Sequence, residues 1–180
     1  MTFNLDVWTD GACRRNGHDG AVGGAGVWFP RFPPGCRSEP LPPSPKPTNQ
    51  RAELTAIILA LEEALRKQNI TCATNPRPPF FVLNVNTDSQ YAVSCLTEWI
   101  FNWMHNGWLT TNYQPVQNAD LIQEADSLRV TLEESFGGGK VNFTWVPRAQ
   151  NTDADRLANE GCDEAERFAA ALQADWHNYF

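Results

Sequence analysis

Phe80-Phe81-Val82-Leu83-Asn84-Val85-Asn86-Thr87-Asp88 is a nearly unbroken run of β-favouring residues that stops at an aspartate. Apolar residues on both alternating faces predict a strand covered on both sides, as at the centre of an α/β sheet. Before it, Arg51 to Lys67 is rich in Ala, Leu, Glu and Arg, and Leu54, Ile57, Ile58, Leu61 and Leu65 form an apolar stripe at helical spacing. Nearer the start, Phe3, Leu5 and Val7 alternate with Asn4, Asp6 and Trp8, predicting a strand that ends at Thr9-Asp10-Gly11, where turn residues take over. Gly23 to Phe29 reads as a second strand entered through glycines. With no G-x-G-x-x-G present, those glycines are read as close backbone approach rather than a dinucleotide loop.

Eight of the 13 prolines fall between Pro30 and Pro47, which forbids helix and allows at most a short edge strand around Cys36 to Glu39. Beyond Asp88, helices are predicted over Ser89 to Leu96, Thr97 to His105 and Ala119 to Glu134, the last stopped by Gly137-Gly138-Gly139. Val141 to Val146 alternates as a strand, and Asp153 to Leu172 returns to a helical pattern. The order βββ, α, β, ααα, β, α predicts an α/β fold, a five-stranded mixed sheet with helices on both faces.

With 180 residues, 42% of them hydrophobic, seven Trp and ten Phe, the chain fits a single globular domain. No apolar run is long enough to span a membrane, and Met1 to Asp10 carries no secretion signal, so an intracellular monomer is expected. Five scattered cysteines, never in a C-x-x-C pair, suit reduced thiols. Three His without ligand-like spacing give no zinc site. The net charge of −7, with no Lys or Arg between Pro78 and Leu128, argues against wrapping nucleic acid mainly through a positive field.

Three acids sit where acids are uncommon. Asp10 and Asp88 each close a hydrophobic strand pattern, where α/β sheets present ligand-binding groups. Glu53 lies four residues before Ile57 and eight before Leu61, bordering its helix's apolar stripe. Singly, each has an ordinary explanation: an Asp-Gly turn, a helix cap, a surface ion pair. Together, three converging acids would repel one another unless divalent cations lay between them, which implies a hard-metal site.

Thr9-Asp10-Gly11-Ala12-Cys13 with Asn16, Thr48-Asn49-Gln50-Arg51-Ala52-Glu53-Leu54, Thr87-Asp88-Ser89-Gln90-Tyr91 and Ala154-Asp155-Arg156-Leu157-Ala158 together resemble, in order, the motifs of type I ribonucleases H. The resemblance runs from about Asn4 to Ala158. It implies a ribonuclease H-like fold and cleavage of the RNA strand of RNA/DNA hybrids. It also implies two Mg²⁺ ions, about 4 Å apart, with Mn²⁺ as a substitute and Ca²⁺ binding without turnover. Asp10 would bridge both ions, Glu53 and Asp88 would complete one shell, and Asp155 the other. By the same resemblance Asn16, Asn49 and Gln50 would read RNA 2′-hydroxyls, Thr48 and Arg51 would lie at a DNA-phosphate pocket, and Tyr91, Trp99, Trp103 and Thr111 would line a DNA channel. Residues 1–164 would form the catalytic domain, with 165–180 a helical and aromatic extension of no assigned role.

Two departures from the family pattern stand out. Trp99 to Asp120 looks like the family's basic protrusion with its Trp and Gly landmarks kept and its basic residues missing, implying weaker and less salt-sensitive binding. The short Trp145-Val146-Pro147-Arg148-Ala149-Gln150-Asn151 replaces a longer loop that in many relatives carries a His, implying slower turnover. Arg148 is read here as a surface residue. The alternatives are a binding module with little or no activity that retains the fold, and a retroelement-derived ribonuclease H domain.

Overall fold

Thr2–Arg14 forms β1, Val22–Trp28 β2, Arg37–Pro40 β3, Phe80–Thr87 β4 and Gly139–Trp145 β5. This computed structural model describes residues 1–135 and 137–177, with side chains described through residue 172. The strands lie in the order β3-β2-β1-β4-β5, with β1 antiparallel to β2 and parallel to β4, and β4 parallel to β5. β3 is the short edge strand allowed by the prolines, antiparallel to β2.

β1 does not end at Thr9-Asp10-Gly11. It runs on to Arg14, with Asp10 opposite Gly26 and Arg14 opposite Val22, and turns only at Arg15 and Gly17, both at positive φ. Pairing with β2 overrides the local turn preference of Asp-Gly. What does stop here is pairing with β4, whose last register is Thr9 opposite Thr87. Beyond that pair, β1 and β4 part and leave a fork.

Helix α1 spans Asn49–Thr74, capped by the Thr48 hydroxyl, which accepts from Arg51 N–H at 3.2 Å. It outlasts the apolar stripe because tertiary contact holds its end: Gln68, 2% exposed, donates to the Leu132 carbonyl at 3.1 Å. The two helices expected over 89–105 are one continuous run. Gln90–Ser94 (α2) passes through a π turn at Cys95–Trp99, where Ile100 N–H bonds Cys95 C=O, into Ile100–Asn106 (α3). One inserted residue widens the helix without breaking it. Gly107, φ 76°, stops it. Ala119–Glu134 is α4, which carries that accepting Leu132 carbonyl, and Thr152–His177 is α5. The aromatic end expected from Trp176 to Phe180 lies outside the described side chains.

The sheet is covered unequally. Leu5, Val7, Val27, Leu83 and Val85 pack with Leu54, Ile57, Leu61, Ile122 and Leu132 into the main core under α1 and α4. On the other face α5 lies directly on glycine: a Cβ at Gly24 would stand 2.2 Å from the Ala158 carbonyl, and one at Gly26 2.2 Å from that of Ala154. Alternation places Gly24 and Gly26 toward α5 and the buried Ala25 and Val27 toward α1. Among the described residues no helix is long and apolar enough to cross a membrane.

Candidate active site

The fork between β1 and β4 collects the acids. Asp10, 3% exposed, comes from β1, and Asp88 follows the last residue of β4. Glu53 enters from the first turns of α1, which press so closely on β1 that a Cβ at Gly11 would lie 2.1 Å from Glu53 N. Glycine is the residue that permits that approach. One carboxylate oxygen from each acid lies within 4.8 Å of the others.

Ser89, not Asp88, caps α2, its hydroxyl accepting from Ala92 N–H at 3.3 Å. Asp88 is thereby released to the cluster. Asp155, in the first turn of α5, lies outside that group of three but close enough to raise the proton affinity of Asp10. Its Oδ1 takes Arg148 Nη2 at 2.5 Å, while Arg148 Nη1 stands 3.9 Å from Asp88 Oδ2. Arg148 is the surface residue read from the sequence, and it also has partners. Its guanidinium is largely exposed yet bridges two of the acids, brought there by a short turn over Arg148–Gln150.

The electrostatics are those of crowded anions. Burial, then repulsion from Asp88 and Asp155, pushes Asp10 up to about 7, against a hydrogen bond from Gly11 N–H at 2.9 Å. Burial, then Asp10 and Asp88, pushes Glu53 up to about 9. Glu53 Oε2 is buried and accepts no hydrogen bond. An oxygen-only donor set, a buried carboxylate oxygen with no hydrogen bond and two acids raised by burial and mutual repulsion fit a hard divalent cation.

The remaining residues implied by resemblance fall into two groups. At the start of α1, Asn49 N–H donates to Asn16 Oδ1 at 3.3 Å, and Gln50 is exposed. Thr48 is occupied as a cap, and Arg51 pairs with Asp120, Nη2 to Oδ2 at 2.8 Å, with Asn118 at 3.4 Å. Arg51 is therefore no free cation: its charge ties α1 to α4. The second group lies along the 90–106 helix, where Tyr91, Trp99, Trp103 and Trp108 form a chain of ring contacts at 6.2, 5.8 and 6.1 Å between centroids. Tyr91, Trp103 and Trp108 pack on the core, whereas Trp99 is 41% exposed. Trp99, Trp103 and Thr111 share a cleft of about 710 Å³ with Phe101, His105 and Asn106.

Sequence reasoning missed Trp108 as a continuation of this chain, Asp120 as the partner of Arg51, and Asn151. The last is 1% exposed and donates to both the Thr9 carbonyl and Asp88. An asparagine just ahead of a predicted helix start was the available signal.

Comparison with known proteins agrees with this geometry. The RNase H family model matches residues 4–163. A ribonuclease H of Schizosaccharomyces pombe is 38% identical over 158 residues, 88% of this chain, and the chain spans about half (53%) of that relative. A ribonuclease H of Neisseria gonorrhoeae is 36% identical over 166 residues, covering 89% of this chain and 97% of the relative. Among solved structures, LC11-RNase H1 in complex with an RNA/DNA hybrid superposes with a TM-score of 0.57 at 22% identity, over 89% of this chain and 98% of that one.

Proposed function

Because the chain belongs to the RNase H family, we propose that it is an endoribonuclease that cuts the RNA strand of RNA/DNA hybrids, using Asp10, Glu53, Asp88 and Asp155. The observation that carries the reading is the meeting of Asp10, Glu53 and Asp88 in the β1–β4 fork, with Glu53 Oε2 buried and unpartnered. Asp10, Glu53 and Asp88 would hold one divalent cation and Asp155, parting from Arg148, would help hold a second: Mg²⁺, or Mn²⁺ in its place. Such ions supply an activated water and neutralise charge on the scissile phosphate. The protein's own share is to hold the acids together despite their repulsion and to let them lose their protons as positive charge arrives.

Binding would spread over both groups of polar and aromatic residues. Asn49 and Gln50 at the start of α1, with Asn16 of the β1–β2 turn against Asn49, offer amide groups suited to RNA 2′-hydroxyls. Trp99, Trp103 and Thr111, with Tyr91 packed behind Trp99, offer an uncharged, largely apolar wall suited to sugar and base faces of the DNA strand. Thr48 and Arg51 act in this reading mainly by fixing α1. We take residues 1–164 as the catalytic domain and the protein as a monomer of an intracellular compartment, in keeping with five scattered cysteines that never form a C-x-x-C pair.

The test is gel-resolved cleavage of labelled RNA/DNA, RNA/RNA and DNA/DNA duplexes with Mg²⁺, Mn²⁺ or chelator. Cutting of the RNA strand of the hybrid alone, and only with metal, is the expected outcome. No cutting of any duplex by folded protein in Mn²⁺ would leave a hybrid-binding module as the reading.

A further inference from the structure

Asn151 immediately precedes α5, where an asparagine ordinarily turns its side-chain oxygen onto the free N–H groups of the first helical turn. It does not do so here. Its Oδ1 is buried and accepts no hydrogen bond, a cost with no return to the helix. Both Nδ2 hydrogens point at the fork instead, to the Thr9 carbonyl at 3.0 Å and to Asp88 Oδ1 at 2.8 Å. Because both neighbours are acceptors, turning the amide over would set oxygen against two oxygens, so the neighbours fix its orientation.

The position is the one the fold leaves open. Thr9 and Thr87 are the last β1–β4 pair, and the Thr87 carbonyl already accepts Val146 N–H at 2.9 Å. The Thr9 carbonyl, at the point where the strands part, is taken by the Asn151 amide. The main chain of Asp88 is tethered separately, its carbonyl accepting the Trp145 indole N–H at 3.1 Å.

We infer that Asn151 is a positioning residue for Asp88. It spans the fork between β1 and the start of α5, commits one carboxylate oxygen of Asp88, and leaves Oδ2, 3.9 Å from the Arg148 guanidinium, for a cation. Groups that hold a ligating side chain from behind tune metal binding nearly as strongly as the ligands themselves. The inference rests on the acidic cluster being the metal site proposed above.

Asn151→Ser separates positioning from structure, because serine caps a helix well but is too short to reach Asp88. Without metal the variant should melt near the wild type. Its affinity for Mn²⁺, followed by the paramagnetic signal of the free ion, should fall about 10- to 100-fold, and kcat on hybrid should fall with KM little changed. A folded Asn151→Ser protein whose Mn²⁺ affinity and kcat both stay within about twofold of wild type would overturn the inference. Should the variant not fold, the wild type decides: the Asn151 side-chain amide protons should be protected from exchange and shift when Mg²⁺ is added, and amide signals indifferent to Mg²⁺ would overturn it. Wild-type protein that binds no Mn²⁺ and cuts no hybrid would overturn the site reading itself, an outcome distinct from a defect confined to the variant.

Discussion

Asp10 and Glu53 release their protons in the folded protein only near 7 and 9, against 3.8 and 4.5 for ordinary carboxyl groups. Between these values the native state binds more protons than the unfolded chain, so its stability falls as pH rises through that window. Metal-free protein should therefore have its highest Tm at the acid end and lose stability steadily toward pH about 9, while saturating Mg²⁺ should remove most of the loss. A metal-free melting profile flat across this range would contradict the crowding of the acids. Asp10→Asn removes one of the repelling charges while keeping the shape. It should abolish cleavage and raise the metal-free Tm, and activity within about tenfold of wild type would refute the role given to Asp10. Arg148→Ala deletes the cation that bridges Asp155 and Asp88. It should lower the metal-free Tm and enlarge the gain in Tm on adding Mg²⁺, both measurable by thermal shift.

The α5 helix carries Asp155 and rests on the glycines of β2 without an intervening layer of side chains. Gly26→Ala would drive a methyl group to 2.2 Å from the Ala154 carbonyl, one residue from Asp155, so the helix must move outward. A destabilisation of about 1–3 kcal/mol in urea unfolding is expected, with a loss of activity larger than stability alone explains. Much at this scale was legible beforehand. Periodicity located β1, β4, β5, α1, α4 and α5, glycines and prolines marked β2 and the short β3, and the acids drew notice because each borders an apolar pattern. What was not legible depended on partners distant in sequence. Asp10-Gly11 reads as a turn until Gly26 and Ala25 of β2 are placed opposite it. The π turn at Cys95–Trp99 has no sequence signature that separates it from a break between helices. Asn151 meets Thr9 across 142 positions and Asp88 across 63, distances at which a single sequence carries no pairing information.

Across the whole molecule the sheet and the helices have the ribonuclease H-like fold, and the charge is acidic. The net charge is −7, the segment between Pro78 and Leu128 has no basic residue, and Arg51 is paired with Asp120. Introducing Lys together at Met104, His105 and Leu109 should tighten hybrid binding at low salt. It should also steepen the dependence of log affinity on log salt by about 0.9 for each phosphate newly contacted. Binding isotherms at several salt concentrations check this, and unchanged affinity would show that the protrusion does not touch the hybrid.

The bare, aromatic protrusion also bears on how such a protein finds its target. Basic proteins are gathered onto nucleic acid by their field and then slide or hop along it, so that each landing samples many positions. A chain of net charge −7, with Trp99, Phe101 and Met104 exposed on its protrusion, has no such rail to follow. If the rings take the hybrid as proposed, each encounter would be a separate three-dimensional collision that succeeds only where hybrid already lies under them. On the proposed reading its search would be slow on long duplex and little hindered by the excess of ordinary DNA around it, a trade of speed for freedom from non-specific capture.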